Sequence, residues 1–265
     1  RKMVSVYNER FANSLKRYRN GQEGRYTYVN WGYNTIGVFQ NQDQINNWPV
    51  NIDGKGNTTL LPGDFIVEDV NGDGRIDSQD ERPIAYQDNT SVAPQPIVNG
   101  GLTLGFDWKG IDLSADFSLA GGYAFTPNWE TRWPFQNGRT LVRETQFKNR
   151  WRHEDPFDPN SAWIPGDVPA LRFTAREYVS WNRNLDYWTT NVVAFRLRSL
   201  EIGYTLPKKW LAAARIQKVR FYVNTYNLFS IDNVKKYGVD PEIADRNGMQ
   251  YPQNRVINIG ANLTF

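Results

Sequence analysis

The chain contains no cysteine, so neither a disulfide nor a thiolate-bound metal is open to it. Its single histidine, His153, cannot build a multi-histidine metal centre, and a histidine-based triad would rest on it alone. No apolar run approaches the roughly 20 residues of a membrane-crossing helix. The net charge of +3 over 265 residues is small and the basic residues are scattered, which argues against a nucleic-acid partner. The sequence starts at Arg1 without an initiator methionine or a signal peptide, so it is expected to be a fragment or a processed product.

What is abundant is aromatic. Aromatic residues make up 14% of the chain, with ten Trp, yet the mean hydropathy is polar. Strands with a polar inner face and an aromatic-girdled outer face account for both properties at once.

One stretch organises the rest: Pro62 to Arg82, PGDFIVEDVNGDGRIDSQDER. Asp69, Asn71, Asp73, Asp77 and Asp80 fall at the first, third, fifth, ninth and twelfth positions of an EF-hand-type loop, with Gly74 at the sixth. Arg75 offers its backbone carbonyl at the seventh, and Ile76 at the eighth is expected to anchor the loop inward. A hard cation needs several oxygens converging from a short loop, so this spacing points to a structural Ca²⁺ site. The pattern departs from the EF-hand at two points. Asp80 replaces the usual bidentate Glu, and the flanks are not helical: Asp64 to Val67 is extended, and Pro83 blocks an exit helix. The alternative is an Asp/Gly turn cluster without metal.

Before the loop, residues 1–24 show no firm period. Residues 24–39 are extended and aromatic, and Asn41 to Ile45 is expected to start a short helix ended by Asn47-Trp48-Pro49. Residues 54–63 are a linker into the Asp loop, and 83–96 a second irregular connection. From Val98 a period of two takes over. Val98, Gly100, Leu102, Leu104, Phe106 and Trp108 alternate with smaller or polar residues. After a turn at 108–110, Ile111, Leu113, Ala115, Phe117 and Leu119 alternate with Asp112, Ser114, Asp116 and Ser118. Further strands are expected at 191–206, 219–226 and 257–265, with a bulge near Arg198-Ser199 where the apolar parity switches.

The fold class expected is therefore all-β: the C-terminal strands of a large antiparallel transmembrane barrel. Residues 1–96 carry a weak strand and an extracellular loop with the Asp loop at 69–80. Residues 97–265 carry barrel strands with extracellular loops 121–190 and 230–254. Short turns lie on the periplasmic side of bacterial barrels and long loops outside, which puts Phe265 at the periplasmic end and the Asp loop outside the cell. A soluble β-sandwich also alternates, but small inward residues, long asymmetric loops and the terminal aromatic favour the barrel.

WGYNTIGVFQNQDQINN, LPGDFIVEDVNGDGRIDSQDERPI, GGLTLGFDWKGIDLSADFSLAGG, RLRSLEIGYTLPKKW, FYVNTYNLFSI, YGVDPEI and YPQNRVINIGANLTF occur in this order from Gly32 onward. Together they resemble the C-terminal part of SusC/RagA-type TonB-dependent outer-membrane transporters. The resemblance implies a barrel of about 22 strands with a plugged lumen, to which this chain contributes only part. It also implies import of oligosaccharide or peptide fragments, a SusD-like surface lipoprotein as lid, TonB as the energy source through an N-terminal part, and no enzymatic activity.

Trp129, Trp133, Trp163 and Trp181, in a loop rich in Arg and Asn, are candidates for contact with substrate or partner. Indole faces stack on sugar rings, and Trp and Arg also dominate protein interfaces. Asp112, Asp116 and Arg220 fall on the inner face by parity, Asp155 and Asp158 read as turn formers, and Trp108, Tyr204 and Trp210 as an aromatic girdle. A soluble Ca²⁺-dependent carbohydrate-binding β-sandwich is the alternative function. A glycoside hydrolase ranks last, because sequence alone places no pair of carboxylates.

Overall fold

The computed structural model describes residues 10, 14, 17–18, 21, 23–25, 29–86, 96–136, 142–214, 216–242, 246–248, 251 and 253–265. The expectation for residues 1–24 therefore falls largely outside the described residues. Among them eleven strands follow in chain order: β1 (Val29–Gly32), β2 (Thr35–Val38), β3 (Phe65–Val67), β4 (Arg82–Tyr86), β5 (Val98–Trp108), β6 (Ile111–Phe125), β7 (Arg152–His153), β8 (Trp163–Ile164), β9 (Thr190–Thr205), β10 (Lys218–Asp232) and β11 (Val256–Thr264).

The chain divides into two compact units. One comprises the described residues within Pro96–Tyr123, Val192–Ile243 and Gln250–Phe265. It is built on an antiparallel sheet in the order β11-β10-β9-β6-β5, in which the five strands lie side by side in chain order, with β7 and β8 outside the sheet. This is an up-and-down order in which a short β5–β6 turn alternates with the long connections β6–β9 and β10–β11. The turn between β5 and β6 is two residues long, and both take positive φ (Lys109 47°, Gly110 89°), the backbone of a type I′ hairpin. Its register runs unbroken from Val98↔Gly121 to Trp108↔Ile111.

One face of this sheet is apolar and, among the described residues, uncovered. Leu102, Leu104, Phe106, Ile202, Phe221, Val223 and Ile259 are all exposed, and Phe117 stacks on Phe195 with centroids 5.3 Å apart. A sandwich would bury that face against a second sheet. The expected strands are all present, though β6 and β10 run further than their alternation indicated.

The register irregularity lies where expected, but its extra residue is on the partner strand. Tyr226 pairs with Ser199 and Phe229 with Leu197, so Asn227 and Leu228 oppose the single Arg198. Asn227 accommodates this with φ 51°, a conformation that Asn tolerates better than most residues. In consequence Arg198 and Ser199, though adjacent, both reach the polar face: Arg198 bonds Ser118, and Ser199 bonds Asp116.

The other unit comprises the described residues within Arg1–Gln95, Ala124–Asn191 and Ala244–Met249. Within the segment read as one long extracellular loop, the stretch 175–188 contributes to a core. Phe39, Ile45, Ile52, Leu60, Phe65, Ile66, Val67 and Ile76 pack in one cluster with Ala175, Trp181, Leu185 and Trp188. Backbone groups join the two stretches. Tyr33 N–H donates to the Asn184 carbonyl at 2.9 Å, Asp186 N–H to the Tyr33 carbonyl at 3.0 Å, and Thr35 N–H to Asp186 Oδ1 at 2.9 Å. Asp64, buried, pairs with Arg172, which also lies over the Tyr178 ring at 4.2 Å.

The expected short helix forms as α1 (Gln42–Asn46), with the Asn41 side chain accepting from Gln44 N–H at its N-terminus. The irregular connection expected from Pro83 is instead strand β4 as far as Tyr86, paired with β1; residues 87–95 lie outside the described residues. Pro83 fits because the register slips between Asn30 and Trp31, beside its own position.

Candidate functional site

The Asp loop sits on the second of these units, and its back is held by the core. Ile76 is buried, as its position in the loop pattern requires. Asn51 N–H donates to the Gly74 carbonyl at 2.8 Å, and Ile76 N–H to the Asn51 carbonyl at 3.2 Å. Arg183 donates to the Ile76 carbonyl at 3.0 Å and lies over the Tyr33 ring at 5.0 Å. Burial pushes the Arg183 guanidinium below its ordinary value, while Tyr33, Asp80, Asp77 and Glu81 pull it back up.

Within the loop each predicted ligand has a definite place. Asp69 accepts from Gly72 N–H and Gly74 N–H, each at 2.8 Å. Asp80, fully buried, accepts from Val70 N–H at 2.9 Å and from Asp77 N–H at 2.8 Å. Asn71 donates through its amide to Asp73 at 3.1 Å, and Asp77 caps Gln79 N–H at 2.7 Å. Gly74 takes φ 81°, the turn that its place in the pattern demands. The Arg75 side chain enters where only its carbonyl was expected: Nε lies 3.2 Å from Asp73 and 3.5 Å from Asp77.

The donor set is all oxygen, which suits a hard cation. The arrangement is nonetheless one in which the carboxylates serve loop N–H groups and a guanidinium balances two of them. Among the described residues, no three His, Cys, Asp or Glu side chains gather into a metal cluster. A cation here would have to displace Arg75 and turn Asp80 away from the N–H groups it accepts from.

The four tryptophans separate. Trp181 is fully buried, stacked on Trp188 with centroids 5.4 Å apart, and donates Nε1–H to the Ala170 carbonyl at 3.2 Å. Its placement as a contact residue is corrected: it lies in α2 (Val179–Asn182), on the side turned to the core. Trp133 is half-buried, with its indole N–H given to the Trp181 carbonyl at 2.8 Å and Arg176 over its ring at 4.8 Å. Trp163 packs on His153 at 4.0 Å. Trp129 is exposed, and only it and part of Trp133 present a face to solvent at one place, 6.4 Å apart.

The sheet carries a second concentration of polar groups, missed as a set because its members are spread along the chain from Thr103 to Glu242. Arg220 pairs with Asp112 and, at 2.6 Å, with Glu201. Asp116 accepts from Thr103 at 2.7 Å and Ser199 at 2.5 Å. Above these, Arg198 pairs with Glu242 at 2.8 Å, and buried Arg196 binds both oxygens of Asp240 at 2.7 Å. Period-two parity had already put Asp112, Asp116 and Arg220 on one face. The acids at 240 and 242 carry no such signal, because they lie in a loop.

No protein-family model matches the chain. It is 26% identical to TonB-dependent receptor P3 of Formosa agariphila over 256 residues, 89% of this chain and 22% of that protein. Against TonB-dependent receptor P39 of the same organism it is 25% identical over 223 residues, 79% of this chain and 19% of the relative. The chain thus spans about a fifth of the length of these curated relatives. Among solved structures, the RagAB peptide importer in its open-open state superposes with a TM-score of 0.55 at 20% identity, covering 92% of this chain and 23% of the importer chain. The closed-closed state gives 0.53 at 22% identity, covering 89% and 23%. The resemblance read from the ordered segments is borne out, and the fold is that of the strands of a TonB-dependent transporter barrel, here an arc that does not close on itself.

Proposed function

We propose that this chain, similar along most of its length to the C-terminal part of SusC/RagA-type TonB-dependent transporters, forms part of an outer-membrane barrel that imports oligosaccharide or peptide fragments. The observation that carries this reading is the five-stranded meander with one uncovered apolar face and one face of paired charges. Such a surface faces lipid outward and a wet lumen inward. Trp108 and Tyr204, exposed near the short turns, sit where an interfacial girdle belongs. A SusD-like surface lipoprotein is the proposed lid, and TonB the proposed energy source. The test is to solubilise outer membranes in mild detergent and recover the polypeptide carrying this sequence. A membrane-bound species several times heavier than 30.7 kDa, with a co-purifying lipoprotein, supports the reading; a soluble species of that mass overturns it.

Ca²⁺ remains the proposed ligand of the Asp loop, on the chemistry of its donors alone. Asp69→Ala combined with Asp73→Ala is expected to remove one equivalent of bound calcium from the purified protein, measured by elemental mass spectrometry, with barrel insertion unchanged. An identical calcium content in the double variant refutes the site.

A further inference from the structure

Residues 152–164 form a small ribbon in which β7 and β8 pair through Arg152↔Ile164 and His153↔Trp163. Its base is fixed: Trp151 is buried, and its N–H donates to the Val168 carbonyl at 2.9 Å. The tip is a string of capped turns. Asp155 accepts from Phe157 N–H at 2.9 Å, and Asp158 from Asn160 N–H at 2.9 Å. The Ser161 hydroxyl lies 3.0 Å from the Asp155 carbonyl and 2.8 Å from that of Asp158, and it accepts from Asp155 N–H at 3.2 Å. Held out by these turns is Phe157, 93% exposed, the highest value among the exposed large apolar side chains. Around it stand Glu154, Asp155 and Asp158, all exposed.

A lone exposed apolar side chain is ordinary on a protein surface. What distinguishes this one is the ordering beneath it. The two Asp residues flanking Phe157 fix the backbone that presents the ring, so little conformational freedom is left to lose when the ring is buried. Three carboxylates around an aromatic knob repel an anionic lipid surface. The tip's Phe157 and Asn160 N–H groups are committed to Asp155 and Asp158, so what the tip offers is carboxylate oxygens, which pair more strongly with cationic side chains than with neutral hydroxyls. The complementary surface is an apolar socket rimmed by Lys or Arg on another protein.

We propose that Phe157 is a docking anchor that inserts into a basic-rimmed apolar socket on the surface lipoprotein. This rests on the importer reading, which supplies that partner. The experiment uses the full-length transporter in detergent and the purified lipoprotein, with affinity and association rate measured by surface-based kinetics. Phe157→Ala is expected to weaken binding about 30-fold, as removal of a central aromatic anchor does. Asp155→Asn with Asp158→Asn keeps an oxygen for each turn but removes the charge. That pair is expected to lower the association rate and flatten its salt dependence, with the dissociation rate little changed. If the wild-type protein binds the lipoprotein and Phe157→Ala binds equally well, the anchor is refuted while the importer reading stands. If the wild-type protein does not bind it at all, both fall. Loss in Phe157→Ala of binding to lipopolysaccharide vesicles or oligosaccharide, with lipoprotein binding intact, also overturns the proposal.

Discussion

Trp181→Ala is expected to destabilise the unit that carries the Asp loop by about 3–5 kcal/mol, the range for emptying a buried Trp site. The indole is fully buried, stacked on Trp188 and hydrogen-bonded to Ala170, so its loss leaves a cavity and an unpaired carbonyl together. The same helix is also the point where distant segments meet. Ser180 Oγ accepts from Phe65 N–H at 3.0 Å, and the Ser180 carbonyl accepts from Trp188 Nε1–H at 2.9 Å. Limited proteolysis of the full-length protein in detergent gives the readout: new cleavage within 29–86 and 142–191, with the sheet strands still protected. Trp129→Ala is the matched control. Its exposed ring should cost less than about 0.5 kcal/mol and leave the digestion pattern unchanged. Equal patterns for the two variants would mean that Trp181 does not hold this core.

Tryptophan chemistry is thus readable from sequence only when its setting is. The same residue type, in one Arg-rich stretch, gives a fully buried core member at 181 and an exposed ring at 129. The sheet was legible because its information is local. In β6, Asp112, Ser114, Asp116 and Ser118 alternate with apolar residues over consecutive positions, and the two-residue turn before it fixes the register. The core around Trp181 was not. Its elements are a few residues long, too short to show a period, and its contacts join partners such as Phe65 and Ser180 or Asp64 and Arg172, more than 100 residues apart.

The Asp loop falls between these cases. Spacing alone gave Gly74 its turn and Ile76 its burial, because both follow from the backbone path. The position of the Arg75 guanidinium, between Asp73 and Asp77, does not follow from a ligand pattern that counts only oxygens. A positive side chain inside the loop competes with any cation for the same two carboxylates.

At Arg196 the balance differs, since Arg198 shares Glu242 while Asp240 pairs with Arg196, and the consequence is the other large effect expected. Arg196 is 4% exposed. One amino group binds Asp240 through both oxygens at 2.7 Å; the other reaches Gln253 at 2.6 Å and Glu242 at 3.2 Å. The same loop is tied to β6, where the Tyr123 hydroxyl donates to the Pro241 carbonyl. Arg196→Ala leaves Asp240 without its cation and beside Glu242, which keeps only its pairing with Arg198. Breaking a buried pair costs about 3–5 kcal/mol, and the residual access of these two acids places the effect near the lower end. The 232–242 segment should then detach from the polar face and become open to protease, while β9 and β10 stay paired. Arg196→Lys retains the charge but not the two-pronged geometry and should restore only part of the protection. Removing the stranded acid as well, with Asp240→Asn, relieves the repulsion and is expected to recover stability relative to Arg196→Ala alone. The exposed pair Lys148–Glu144, at 2.6 Å, sets the contrast. Breaking it should cost about 0.3–0.5 kcal/mol, although its separation is shorter. A digestion pattern that responds equally to both disruptions would mean that burial does not govern the Arg196 cluster, and that the strap it holds across β6 and β9 is fastened elsewhere.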